Sequence, residues 1–206
     1  AAVPLGLNVA GLLGDAVRRW AMYGVLVLAM VPGIESGINL NFGVSIGIVA
    51  GLLGSTIAIE MGMSNPWGSL AAAMLFGALV AMPLGIGYGF LLNRVKSSEM
   101  TVSTYVGFSI VAFMNLVWLS LPFSSGTLIW PLGGKGLRNT ISLSDSFGGV
   151  LNNFLSVTIG DPVNGAFIPT GLILFFMLMC VLLWLFMRSR TGVAMSAAGA
   201  NPMFAR

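Results

Sequence analysis

The chain has 206 residues, 57% of them hydrophobic, and its nine Lys and Arg against six Asp and Glu leave only 7% charged. Soluble domains carry about 25% charged residues, so a surface this poor in charge suits lipid rather than water. No His and a single Cys exclude imidazole metal sites, Ser-His or Cys-His catalysis, an internal disulfide and a four-Cys zinc cage.

The expected fold class is all-α, a polytopic transmembrane helix bundle with about five spans. A helix rising 1.5 Å per residue needs about 20 apolar residues to cross a hydrocarbon core of about 30 Å. The first candidate span, residues 20–34, reaches only about 22 Å at that rise. It spans by snorkelling of Arg18 and Arg19 or by continuing past a break. Pro32, Gly33 and Gly37 surround Glu35 and lead into Asn39 and Asn41, a polar, helix-breaking patch between two apolar segments. Such backbone persists at membrane depth only where protein or a wet cavity satisfies it. Glu35 is accordingly a functional candidate, or else an interfacial residue facing headgroups or pairing with a helix end.

The next spans are residues 40–59, 67–92 and 100–121. In lipid, helices associate by close backbone approach, and small residues recur every four positions at Gly43, Gly47, Gly51 and Ser55, and again at Ala73, Gly77, Ala81, Gly85 and Gly89. Both rows predict internal helix interfaces. Pro83 removes the bond to the Leu79 carbonyl and predicts a kink. Gly85, Gly87 and Gly89 lie in an apolar helix with no preceding strand, so they are not a nucleotide loop. Asn115 is the clearest uncharged polar group within a span, either as interhelical glue or as part of a polar solute path.

Residues 122–166 form a long loop whose run Pro131 to Gly136 is turn-forming, and Ser142 to Leu155 is a candidate interfacial helix. The last span is residues 167–187. Arg94 with Lys96 and Arg188 with Arg190 mark cytoplasmic ends, which puts the 122–166 loop outside and, by parity, the N-terminus outside as well. Arg18 and Arg19 argue the reverse, as expected of a fragment lacking an earlier span. After the arginines, residues 188–206 run on as a cytoplasmic stretch, stopping at Gly199 and restarting with Asn201 as N-cap and Pro202 at the first helical position. No paired carboxylates and no G-x-x-x-x-G-K-[ST] run occur, so any ATP-driven role requires a partner.

Two segments carry a family resemblance. Arg190-Thr191-Gly192, followed by Ala197-Ala198-Gly199-Ala200-Asn201-Pro202 and Ala205-Arg206, resembles the cytoplasmic coupling segment of the ABC importer permeases for ribose-type sugars, relatives of the branched-chain amino acid permeases. Ser36-Gly37-Ile38-Asn39-Leu40-Asn41-Phe42-Gly43 is similar to that family's S-G-I-D-L-S-V-G. Departures are Asn39 for Asp, Asn41 for Ser, Val193 for a basic residue and Ala200 for Gly. The likeness covers nearly all of the chain and about two thirds of a whole family member, so residues 1–206 read as one partial transmembrane permease domain.

The resemblance implies a multi-pass subunit of the cell (inner or plasma) membrane that is not itself an enzyme. It implies a second permease subunit in a homo- or heterodimer, cytoplasmic ATPase subunits and an extracytoplasmic solute-binding protein, with membrane lipid as surroundings and no nucleic acid. No cofactor belongs to this chain; ATP and Mg belong to the partner ATPase. Arg190, Gly199, Asn201, Pro202, Ala205 and Arg206 then couple to the ATPase, while Glu35, Asn39, Asn41 and Asn115 line or adjoin the path of a small polar solute, most simply a sugar or nucleoside. The alternatives are a branched-chain amino acid permease and a membrane scaffold that transports nothing. A channel lacks a charge ring or filter segment.

Overall fold

The computed structural model describes residues 9–37, 43–95, 98–121, 143, 146–159 and 166–201. Asn39, Asn41, Pro202, Ala205, Arg206, Lys96 and the run from Pro131 to Gly136 lie outside them. The chain divides into two compact units, one made of residues up to Gly37 together with those from Gly149 onward, the other of Ile38–Gly148.

In the first unit, α1 runs Val9–Glu35 with Pro32 inside it. It starts well before Trp20, because Arg18 and Arg19 are good helix formers that continue the helix rather than ending it. Its 27 residues, of which Arg18 and Arg19 are the tenth and eleventh, reach about 40 Å, long enough to cross a bilayer. Pro32 costs only the bond to the Leu28 carbonyl, and the helix passes through it to Glu35. Termination falls to Gly37, whose φ of +75° is the left-handed conformation that glycine adopts without a Cβ penalty. There the Ser36 N–H donates to Pro32 O at 3.1 Å and the Gly37 N–H to Ile34 O at 3.0 Å.

The same unit holds α5 (Val150–Asn153), the hairpin of β1 (Val157–Ile159) and β2 (Ala166–Ile168), then α6 (Thr170–Arg188) and α7 (Arg190–Ala200). Among the described residues of the expected interfacial helix from Ser142 to Leu155, only Val150–Asn153 is helical: residues 146–149 form a turn before it, and Leu155 takes a φ of +51° after it. Strands β1 and β2 pair antiparallel with Thr158 opposite Phe167, a sheet that the all-helical expectation omitted. Pro169 explains the late start of α6, since the residue before a proline is steered to extended backbone, and Ile168 ends β2. Gly14 of α1 lies against the Phe167 backbone, where a Cβ would come 2.5 Å from the carbonyl oxygen. Further along, Trp20 meets Phe176 edge-on, with ring centroids 5.0 Å apart at 61°.

The second unit contains α2 (Val44–Glu60), α3 (Pro66–Arg94) and α4 (Glu99–Ser120). Asn65 caps α3 by accepting from the Trp67 N–H at 3.0 Å, with Pro66 in the first turn. This is a favoured arrangement because proline gives up an N–H that has no helical partner there. Helices α2 and α3 pack through Ala50, Gly54 and Ala58 against Ser69, Ala73 and Gly77, all buried. The row of Gly43, Gly47, Gly51 and Ser55 is not the buried one: a Cβ on Gly47 or Gly51 would meet nothing within 4 Å. Helix α2 offers two adjacent rows of small residues, and the row beside Ile46 and Val49 is the one that can also bury branched side chains. On α3 the row is used only up to Gly77; Gly85 and Gly89 face open space. Within α4 the buried Ser103 hydroxyl donates to Met100 O at 2.9 Å.

Among the described residues, α1, α3, α4 from Glu99 to Trp118, and α6 are long and apolar enough to cross a membrane, while the apolar α2 has only 17 residues.

Candidate functional site

The first unit brings two of the sequence-derived candidates together. Helix α6 ends at Arg188, whose guanidinium lies 4.1 Å from the Trp184 ring centroid, within the range of a cation–π contact. Ser189 then breaks the helix with extended backbone and opens α7. Its hydroxyl donates to Phe186 O at 2.5 Å and accepts from the Gly192 N–H at 3.3 Å, so it closes one helix and caps the next. Thr191 adds a hydroxyl contact at 2.8 Å. Gly192 is buried where a Cβ would come 2.5 Å from the Met187 Cα, which folds the start of α7 tightly onto the end of α6.

At its far end α7 reaches α1. A Cβ on Gly199 would overlap the Glu35 carbonyl oxygen and come 2.8 Å from the Gly37 nitrogen. Gly199 is therefore not where the helix stops. The helix continues to Ala200, and Asn201 closes it, its N–H donating to Ala197 O at 3.0 Å. The expected role of Gly199 as terminator is corrected to an approach glycine, with Asn201 the C-cap; the helix that Asn201 was expected to open at Pro202 lies outside the described residues. The reason is that Gly199 is needed for contact rather than for a left-handed turn. Arg190 is exposed at the start of α7.

Glu35 is exposed on the last turn of α1, beside α7, at the end marked by Arg188. That position fits the interfacial alternative: its side chain sits at a helix end while its backbone carbonyl meets Gly199. Asn115 lies in the other unit. It is exposed on α4 near exposed Phe108 and Val111.

A cleft of about 430 Å³ runs along Asp15, Arg18, Arg19, Met22 and Tyr23 of α1, toward the end that meets β2. The sequence flagged Arg18 and Arg19 only as an orientation conflict. No group of three His, Cys, Asp or Glu residues that could hold a metal occurs among the described residues.

Comparison with known proteins adds the family. The family model described as branched-chain amino acid transport system, permease component, matches residues 13–206. The chain belongs to this family. The resemblance read from the two motifs is thereby borne out, and so is the fold class, a polytopic membrane helix bundle. No curated protein and no solved structure matches the chain. For a permease of this family, α7 is the element to examine first: it follows a membrane-crossing helix directly, is capped at both ends, and touches the chain just ahead of Asn39 and Asn41.

Proposed function

We propose that this permease is the membrane-spanning subunit of an ATP-binding-cassette importer in the cell membrane, and that it moves a small polar solute, a sugar or nucleoside, by alternating access. The observation that carries the reading is α7, a short capped helix set directly after the Arg188 end of α6, which suits it to be gripped by a cytoplasmic ATPase. ATP and Mg bind in that ATPase, so this chain holds no cofactor and performs no catalysis. ATP-driven closure of the partner biases a two-state equilibrium of the helices. A second permease subunit completes the pathway, and an extracytoplasmic binding protein delivers the solute.

Uncharged amides at Asn39, Asn41 and Asn115 favour a polyhydroxy solute, since they offer donors and acceptors without the burial cost of full charge. The family's description as a branched-chain amino acid transport system favours a second reading, a branched-chain amino acid as solute. Reconstitution of the full-length permease with its ATPase and binding protein, followed by uptake of labelled ribose, uridine and leucine, decides between them. Uptake of ribose or uridine supports the first reading and uptake of leucine the second. Recovery of the permease without any ATPase, bound to some other membrane protein, overturns both in favour of a scaffold.

A further inference from the structure

We propose that the cleft on α1 holds the headgroup of an aminophospholipid, with its phosphate on Arg18 and Arg19 and its ammonium on Asp15. The cleft of about 430 Å³ is lined by Asp15, Arg18, Arg19, Met22 and Tyr23, a volume within the range of small-molecule sites. Their helical spacing sets all five on one face of α1. The importer reading uses none of them, and the site is the same whichever solute the permease carries.

Depth decides what this face meets. At the hairpin end, a Cβ on Gly14 would come 2.5 Å from the Phe167 carbonyl oxygen, and β1, paired with the strand of Phe167, is exposed along its whole length. The open edge of a two-stranded sheet cannot lie in hydrocarbon, where nothing satisfies its backbone, so Gly14 and Asp15 lie at the level of the headgroups. At the other end, Glu35 is exposed and follows Arg19 by about 24 Å of helix. The hydrocarbon core is about 30 Å thick. With Glu35 at one boundary, Arg18 and Arg19 therefore fall about 5 Å inside the other. Both side chains are exposed and long enough to snorkel back to the phosphates. Exposed Trp20 and Tyr23 stand at the same level, as aromatic side chains do at a membrane boundary.

Charge then selects the headgroup. Two guanidinium groups hold a phosphate through charge-assisted N–H···O bonds in a planar fork. Asp15 precedes them by one turn, about 5 Å nearer the water, so the cleft runs from carboxylate outward to guanidinium inward. An aminophospholipid carries the opposite charges in that order, ammonium at the tip and phosphate beneath. A glycerol headgroup supplies the same phosphate but sets hydroxyls against the carboxylate, and a choline headgroup brings a cation with no N–H to donate. Met22 and Tyr23, one turn deeper than the arginines, are placed to pack on the glycerol backbone and the start of the acyl chains.

The test uses the full-length permease, stripped of lipid in detergent, with bound lipid counted by native mass spectrometry. The probes are phosphatidylethanolamine, its N-acetylated form, which keeps the phosphate and loses the ammonium, and phosphatidylglycerol. Phosphatidylethanolamine should bind about threefold or more tightly than either of the others. Asp15→Asn should abolish that preference, and Arg18→Gln and Arg19→Gln should each weaken all three lipids about fivefold. Arg94→Gln, at the end of α3, should change nothing. Equal or tighter binding of phosphatidylglycerol by the unsubstituted permease overturns the proposal, as does a preference that survives Asp15→Asn or binding that neither arginine substitution weakens. Free phosphoethanolamine carries the same two charges without acyl chains and should not displace the lipid; displacement at equal concentration overturns the lipid as the source. The acetylated lipid tests the ammonium contact on the unsubstituted protein, so a misfolded variant cannot decide the result.

Discussion

Gly54 of α2 meets Gly77 of α3 backbone to backbone, so that a Cβ on Gly54 would stand 2.5 Å from the Gly77 Cα and 2.7 Å from the Ala73 carbonyl oxygen. In lipid there is no water to expel between helices, and association rests on van der Waals contact over such approaches. Gly54→Val should therefore separate α2 from α3 at a cost of about 1–3 kcal/mol, whereas Gly47→Ala, with open space around it, should be neutral. Unfolding of the permease in mixed micelles reads the difference. Equal stability of the two variants would contradict this packing.

The Trp20 and Phe176 rings couple α1 to α6. Edge-to-face pairs are worth about 0.5–1.5 kcal/mol beyond the area they bury. A double-mutant cycle with Trp20→Ala and Phe176→Ala should return a coupling in that range. A cycle that closes at zero would show the two rings to be independent.

Ser189 caps α7 through the Gly192 N–H. Removing such a cap costs about 1 kcal/mol, so Ser189→Ala should speed amide exchange in the first turn of α7, while Ser189→Asp should keep it slow. Exchange unaffected by either substitution would mean that the tight seat of Gly192 alone holds the helix start.

For the solute path, alanine at Asn39, Asn41 and Asn115 should weaken uptake by raising KM, with membrane insertion unchanged. Each lost hydrogen bond is worth about 0.5–1.5 kcal/mol, or roughly twofold to thirteenfold in KM. Unchanged uptake kinetics in all three would remove these residues from the path.

In the segment after α7, if the importer reading holds, breaking the chain geometry at Pro202 or the charge at Arg206 should uncouple ATP hydrolysis from uptake while the protein still inserts. The moles of ATP split per mole of solute moved are the readout. Normal uptake in both variants would count against a coupling role.

Much of this was legible in the sequence. Apolar runs long enough to span a bilayer announced α3, α4 and α6, because composition and length alone satisfy the bilayer's demand for internally bonded backbone. The motif that starts at Arg190 announced α7, and the bend at Gly37 was visible as a helix breaker. The extent of α1 was not legible: Arg18 and Arg19 look like a boundary but are ordinary helix residues, and only the helix itself shows that it runs through them. The hairpin of β1 and β2 was hidden in a long loop, since three-residue strands such as Val157–Ile159 are too short for alternation to register.

The sequence by itself determined the solvent, the class of fold and the family, because these follow from how many charges there are, how far apart they lie and which short motifs stand between spans. Only the tertiary structure decided which of two small-residue rows on α2 is buried, and that Gly199 serves contact rather than termination. Both are questions of which atoms share one small volume. A glycine reads the same in a sequence whether it turns the chain, as Gly37 does, or yields its space to another backbone, as Gly199 yields to Glu35.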